Sequence, residues 1–229
     1  MKTFVIGDIH GAYKALKQCL ERCGFDYTQD RLIVLGDVCD GYPEVRACID
    51  DLLKIKHCDY IIGNHDLWTL DWALEGKKDR VWTSQGGMAT INSYNDELLP
   101  QEHINFLQKA HLWLLVDNKI FIHGGFDPNF SIDKQGRDKF VWDRDLINSA
   151  WKKSQEDNNF KFSVYEEIFL GHTPVQNFQS HLPLHLCNVW ALDTGAGWKG
   201  TLTIMDIYTK QYWQSDTTPS LYGSVQGRK

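Results

Sequence analysis

The sequence predicts an α/β fold with an α+β tendency: two stacked, mixed β-sheets flanked by helices, a parallel half leading and a more antiparallel half following. Three observations carry this expectation. Short apolar strands alternate with amphipathic helices up to Gly63, a pattern that implies parallel pairing through right-handed crossovers. A hairpin signal follows, where Leu114-Leu115-Val116 and Ile120-Phe121-Ile122 flank Asp117-Asn118-Lys119. Further strand-like runs lie between Ile168 and Gln214.

Taken in order, Thr3 to Ile6 is β-branched and aromatic and stops at Gly7, the mark of a short buried strand. Ala12, Ala15, Leu16, Cys19, Leu20 and Cys23 then recur at helical spacing, one apolar face closed by Gly24 at the C-cap. Leu32 to Leu35 reads as a second strand. Val45, Cys48, Ile49, Leu52 and Leu53 mark a second helix with Pro43 near its start. A third strand, Tyr60 to Ile62, ends at Gly63. From residue 66 to about 111 the chain reads as helical, loop-bearing and rich in tryptophan. Beyond the hairpin, Trp142 to Ser154 reads as one helix, Ile168 to Leu170 as a strand, and Val189 to Gln214 as two or three more strands. No repeat, low-complexity tract or proline-rich linker interrupts the 229 residues, so one domain over 1–229 is expected.

With 42% hydrophobic and 24% charged residues, the composition supports a buried core and excludes a disordered chain. A net charge of -6 argues against a nucleic-acid partner. It leaves phosphate open as a substrate, because bound cations reverse the local sign. No apolar run reaches the roughly 18 residues of a membrane span, and MKTFVIGDIHG runs directly into strand-like sequence, unlike a signal peptide. The six cysteines contain no CxxC pair. Cys19 and Cys23 fall on the core face of their helix and read as buried thiols of a reduced protein, so a cytoplasmic location is expected.

Five motifs recur at one station, immediately after an apolar strand: Gly7-Asp8-Ile9-His10-Gly11, Gly36-Asp37-Val38-Cys39-Asp40, Gly63-Asn64-His65-Asp66, His123-Gly124-Gly125 and Gly171-His172-Thr173. Carboxyl ends of parallel strands open on one edge of a sheet, where α/β proteins place their ligands. Two carboxylates, an amide oxygen and three imidazoles would meet there, with a further histidine and acid beside them. Hard oxygen with borderline nitrogen and no thiolate suits Mn²⁺, Fe, Zn²⁺ or Mg²⁺. There are too many donors for one ion; two ions sharing a carboxylate need about this number.

In this order the motifs resemble the signature of the calcineurin-like metallophosphoesterases, and within them the phosphoprotein phosphatase branch with its compact bacterial and phage members. The resemblance runs from Lys2 to about Met205. It implies that Asp8, His10 and Asp37 hold a first metal, and that Asp37, Asn64, His123 and His172 hold a second, with Asp37 bridging. It implies His65 as general acid, Asp40 as the carboxylate that orients it, and direct attack of metal-bound hydroxide on phosphorus. Two divalent ions are expected, Mn²⁺ foremost, with Fe, Zn²⁺, Mg²⁺, Co²⁺ or Ni²⁺ as alternatives.

The sequence departs from the family pattern GDxxDRG at one place. Gly41 follows Asp40 where an arginine is expected. Arg144 is the best remaining phosphate clamp, alongside Asn64; its alternative is a surface arginine paired to Asp143 or Asp145. Arg46 is a weaker candidate. His57, His103, His111, His181 and His185 read as surface or structural groups, and Asp66 as either a helix cap or a partner of the site. Trp68 and Trp72 read as core, with part of the tryptophan-rich stretch able to wall a groove. Asp193 and Thr194 are placed at the floor by resemblance, and Lys199, after two glycines, reads as a solvated turn, with substrate contact as its alternative. The leading function is a phosphomonoesterase acting on phosphoserine or phosphothreonine in proteins, with small phosphoesters as further substrates. The alternatives are a symmetrical dinucleoside tetraphosphate hydrolase and a non-catalytic scaffold of the same fold.

Overall fold

The computed structural model describes residues 1–228. Ten strands form two five-stranded mixed sheets. The first has the order β10-β9-β1-β2-β3, where β1 is Thr3–Ile6, β2 Arg31–Val34, β3 His57–Tyr60, β9 Thr203–Asp206 and β10 Tyr212–Gln214. The second has the order β4-β5-β6-β8-β7, with β4 Trp113–Val116, β5 Lys119–Ile122, β6 Glu167–Leu170, β7 Leu184–Leu186 and β8 Val189–Ala191. Strands β1, β2 and β3 are parallel, as are β5, β6 and β8; β10 with β9, β4 and β7 add antiparallel pairings, and the parallel β3 forms the other edge of the first sheet.

Period-two alternation explains how the sheets stack. Phe4 and Ile6 turn to the helices on the outer face, while Val5 turns inward with Ile33, Leu35 and Met205. The second sheet alternates likewise: Ile120, Ile122, Ile168 and Leu170 face its own helices, and Phe121 and Phe169 face the first sheet. These two rings, on neighbouring strands of the second sheet, lie stacked with centroids 4.7 Å apart in the buried cluster between the sheets.

Helices α1 (Tyr13–Arg22), α2 (Val45–Leu52), α3 (Asn64–Glu75), α4 (Arg80–Trp82), α5 (Met88–Ser93) and α6 (Gln101–Gln108) belong to the first half. Helices α7 (Arg137–Trp142) and α8 (Asp145–Ser154) belong to the second, and α9 (Thr218–Tyr222) follows β10. The hairpin turns through Asp117 and Asn118, both with positive φ, as a two-residue turn between right-twisted strands requires.

Three expectations need correction. The third strand runs from His57 to Tyr60 rather than from Tyr60 to Ile62, because its register with β2 starts at His57 and an edge strand tolerates polar residues there. Ile61 instead makes a single bridge to His111. The stretch 142–154 is not one helix. Asp143 is extended, and its carboxylate accepts the Leu146 N–H at 3.0 Å, starting α8 afresh. Strand β7 was not foreseen; it is a short edge strand with an exposed His185 at its centre.

Candidate metal centre

The carboxyl ends of all six parallel strands open on one edge. Asp8 and His10 follow β1, Asp37 and Asp40 follow β2, Asn64 and His65 follow β3, His123 follows β5, His172 follows β6 and Asp193 follows β8. All are buried. Glycine makes the approach possible: a Cβ on Gly63 would lie 2.0 Å from Asp37 Oδ1, and one on Gly171 2.2 Å from Asp8 Oδ1. His10, Asp37, Asp40 and His172 all have φ between 49° and 70°, a left-handed conformation that costs non-glycine residues and clusters at functional sites.

Two triads of possible ligands result. Asp8, His10 and Asp37 each offer an atom within 4.8 Å of the others, and so do Asp37, His123 and His172. Asp37 is common to both, and Asn64 Oδ1 lies 3.1 Å from His123 Nε2. The second ring nitrogens fix the tautomers. His10 Nδ1 is 2.9 Å from the Cys39 carbonyl, and His123 Nδ1 is 2.7 Å from that of Leu35. A carbonyl only accepts, so Nδ1 carries the proton and Nε2 turns a lone pair into the pocket.

There the lone pairs meet other acceptors. Asp37 Oδ2 lies 3.3 Å from His123 Nε2 and 3.7 Å from His10 Nε2. Asp37 Oδ2 and His172 Nε2 are themselves buried without a hydrogen-bond partner among the described residues. Acceptors crowded against acceptors call for a cation between them. Without metal a proton takes that part: burial opposes the charge on His123, Asp37 outweighs it, and the pKa rises to about 10. Burial and the neighbouring Asp193 push Asp8 up, whereas burial and His123 hold His172 down. The donor set fits a pair of divalent ions.

Beside the triads, His65 Nδ1 lies 2.6 Å from Asp40 Oδ2. The carboxylate also accepts from Thr90 Oγ1 at 2.6 Å and from Trp82 Nε1. His65 Nε2 has no partner among the described residues, and its ring meets His10 and Trp68 edge to face. Asp66 supports the whole loop. Its carboxylate accepts N–H groups from Asp37, Val38, Cys39 and Gly63 and the Tyr60 hydroxyl.

Arg144 sits at the break between α7 and α8 and lines a cavity of about 490 Å³ together with His172, Trp198 and Lys199. It pairs with neither Asp143 nor Asp145; Lys139 pairs with both. Arg46 is exposed on α2. His57, His111, His181 and His185 are exposed, while His103 is buried and joins Tyr94 to Asp50. Trp72 is core; Trp68 is half-buried and walls the site through His65 and Trp142. All six cysteines are free, and the Cys19 thiol donates to the Leu202 carbonyl.

Sequence reasoning missed the roles of Trp82, Thr90 and Arg228. The two Asp40 partners carry no local signal, since they reach it across more than 40 positions. Arg228 brings Nη1 to 3.2 Å from His10 Nε2 from the far end of the chain.

A shared carboxylate between two ligand triads, set where the parallel strands of two mixed sheets end, is the arrangement of a centre for two metal ions. The comparison with known families agrees: the model described as calcineurin-like phosphoesterase matches residues 1–208. The chain belongs to that family, whose members use a dinuclear divalent metal site. Among its relatives is serine/threonine-protein phosphatase 1 of Salmonella typhimurium strain LT2, 26% identical over 90% of this chain and 91% of that one. Another is the symmetrical bis(5'-nucleosyl)-tetraphosphatase of Dechloromonas aromatica, also 26% identical, over 96% of this chain and 98% of that one. Among solved structures, a candidate diadenosine tetraphosphatase covers 93% of this chain and 92% of its own, with a TM-score of 0.71 at 16% identity. The expected fold and the expected enzyme class both hold.

Proposed function

We propose that the protein is a phosphomonoesterase that removes phosphate from phosphoserine and phosphothreonine in proteins, using Mn²⁺ at both metal positions. The observation that carries this reading is the pair of buried ligand triads joined at Asp37, with one imidazole beside them whose outer nitrogen is free. Asp8, His10 and Asp37 are assigned to one ion, and Asp37, Asn64, His123 and His172 to the other. Two such ions, when bound, supply charge neutralisation and lower the pKa of water.

The remaining work falls to this chain's own groups. Asp40 only accepts, so His65 carries its Nδ1 proton toward Asp40 and presents Nε2 to the pocket. From there Nε2 is placed to give a proton to the departing alkoxide. Thr90 and Trp82 fix the Asp40 carboxylate in place. Arg144, on the cavity wall without an ion-pair partner among the described residues, offers a planar fork for phosphate oxygens, and Asn64 lies close enough to the triads to share in binding. Direct attack by water inverts configuration at phosphorus; retention would exclude it.

The bis(5'-nucleosyl)-tetraphosphatase relatives support a second reading, hydrolysis of symmetrical dinucleoside tetraphosphates, with equal identity and nearly full coverage. Side-by-side kcat/KM values for a phosphopeptide and diadenosine tetraphosphate on Mn²⁺-loaded protein decide between them. A preference of about a hundredfold for the phosphopeptide, ~2.7 kcal/mol of differential transition-state binding, is expected. The opposite preference favours the dinucleotide, and no turnover of either, or of p-nitrophenyl phosphate, favours a scaffold.

A further inference from the structure

The C-terminal segment is anchored by Tyr222 at the end of α9 and, after the exposed residues 223–226, by Arg228. Tyr222 packs its ring on Tyr42 at 4.5 Å, accepts the Lys14 N–H and donates to Glu44. The Arg228 N–H donates to the Gly197 carbonyl at 2.7 Å. Its guanidinium lies 4.9 Å over the Trp198 ring, and Nη2 reaches Gln85 Oε1 at 3.5 Å. The tail therefore carries an arginine back to the strand-end edge from the last described position of the chain.

Gly41 and Gly86 make room for it. Gly41 has φ +84°, where a side chain is strained, and a Cβ there would lie 3.1 Å from His10 Cβ and 3.5 Å from Arg228 Cγ. A Cβ on Gly86 would lie 3.2 Å from Arg228 Cγ. The stem of Arg228 thus lies over the residue that follows Asp40, the place where the sequence lacks its expected arginine.

Arg228 forms no salt bridge with any described residue, and its Nε is a buried donor without a partner among them. It lines the same cavity as Arg144 and His172. Two guanidiniums, neither ion-paired with a carboxylate among the described residues, share one wall next to the ligand triads; burial and the Arg228 charge lower the pKa of Arg144, against the opposing pull of Asp37, Asp193 and Asp8. An anion between them relieves this, and the planar fork of each suits a tetrahedral oxyanion. Nη1 now donates to the His10 Nε2 lone pair. Were His10 Nε2 to hold a cation, Nη1 would lose this acceptor, and the flexible stem would leave the fork able to turn to the cavity.

We propose that Arg228, delivered by the C-terminal tail, is a phosphate-binding residue of this site, acting with Arg144 on the phosphoryl group of the substrate. This rests on the phosphoesterase reading of the centre. The test uses full-length protein loaded with Mn²⁺, with metal content checked, and inorganic phosphate as the probe in calorimetry. Arg228→Ala is expected to weaken phosphate binding at least tenfold, ~1.4 kcal/mol at 25 °C, with both metals retained, and to raise KM for p-nitrophenyl phosphate; Arg228→Lys recovers part of the loss. Phosphate affinity within twofold of wild type overturns the proposal. So does tighter binding with higher kcat/KM, which makes the tail a blocking element. Because calorimetry needs no turnover, a wild type that binds phosphate but hydrolyses no ester refutes the phosphatase reading while the role of Arg228 is still decided.

Discussion

Asp66 touches no proposed ligand atom through its own chemistry, yet the structure makes its charge decisive. One carboxylate oxygen accepts the Asp37 and Gly63 N–H groups, each at 2.9 Å, and the Tyr60 hydroxyl at 2.7 Å. The other accepts the Val38 and Cys39 N–H groups at 3.1 and 3.2 Å. Burial and the Asp37 charge push this carboxyl up, while the hydrogen bonds from Tyr60 and Gly63 oppose that push. In Asp66→Asn, an amide NH₂ must replace one oxygen. Turned toward Val38 and Cys39, it orphans the Cys39 N–H, since the Val38 N–H also donates to the Tyr60 hydroxyl at 3.0 Å; turned the other way, it orphans the Asp37 and Gly63 N–H groups. Each orphaned buried N–H costs about 1–3 kcal/mol, so the substitution should cost at least ~1–3 kcal/mol. For a chain of this size that lowers Tm by roughly 2–12 °C. Urea melts should show a lower midpoint with an unchanged slope. The same loop carries Asp37, so Mn²⁺ affinity should fall about 10–100-fold. A variant within about 0.5 kcal/mol of wild type, with Mn²⁺ affinity intact, would refute this account of the loop.

Three further outcomes follow from the site. His65→Asn should lower kcat by about 10²–10⁴ with metal content unchanged; a smaller loss would remove His65 as the proton donor. Stripping the metal should abolish turnover, and Mn²⁺ at a hundred times its Kd should restore it and stabilise the fold by ~2.7 kcal/mol in calorimetric melts; a melting point indifferent to Mn²⁺ counts against the centre. In the metal-free protein, His123 is raised from 6.5 to about 10. Its contribution to stability is therefore complete below pH 6.5 and lost as pH climbs through about 10. Mn²⁺, which competes with that proton, should bind more tightly across the same interval. A pH-independent stability of chelated protein would show that Asp37 does not hold the proton.

Local pattern was a good guide wherever one element's own chemistry decided its structure. The apolar faces of α1 and α2, the β5 hairpin and the strand-end glycines could be read directly, because spacing and turn chemistry act over a few residues. Where local rules competed, the reading slipped. The run 142–154 has helical character throughout, but Asp143 gains more by capping a new helix than by continuing the old one, and that break carries Arg144 to the cavity. β3 moved upstream because strand register is a property of the pair.

The sequence by itself determined the donor types: acids, imidazoles and an amide after glycine-flanked strands, with no thiolate among them. That chemistry is written in residue identity and needs no coordinates. Tertiary structure decided who shares whom. Asp37 falls in both triads because two sheets stack with their parallel strands ending on one side. Trp82 and Thr90 reach Asp40, and Arg228 reaches His10, because a packed chain brings together positions that are 42, 50 and 218 residues apart. Contacts of that span depend on the whole fold, and no short window of sequence contains them.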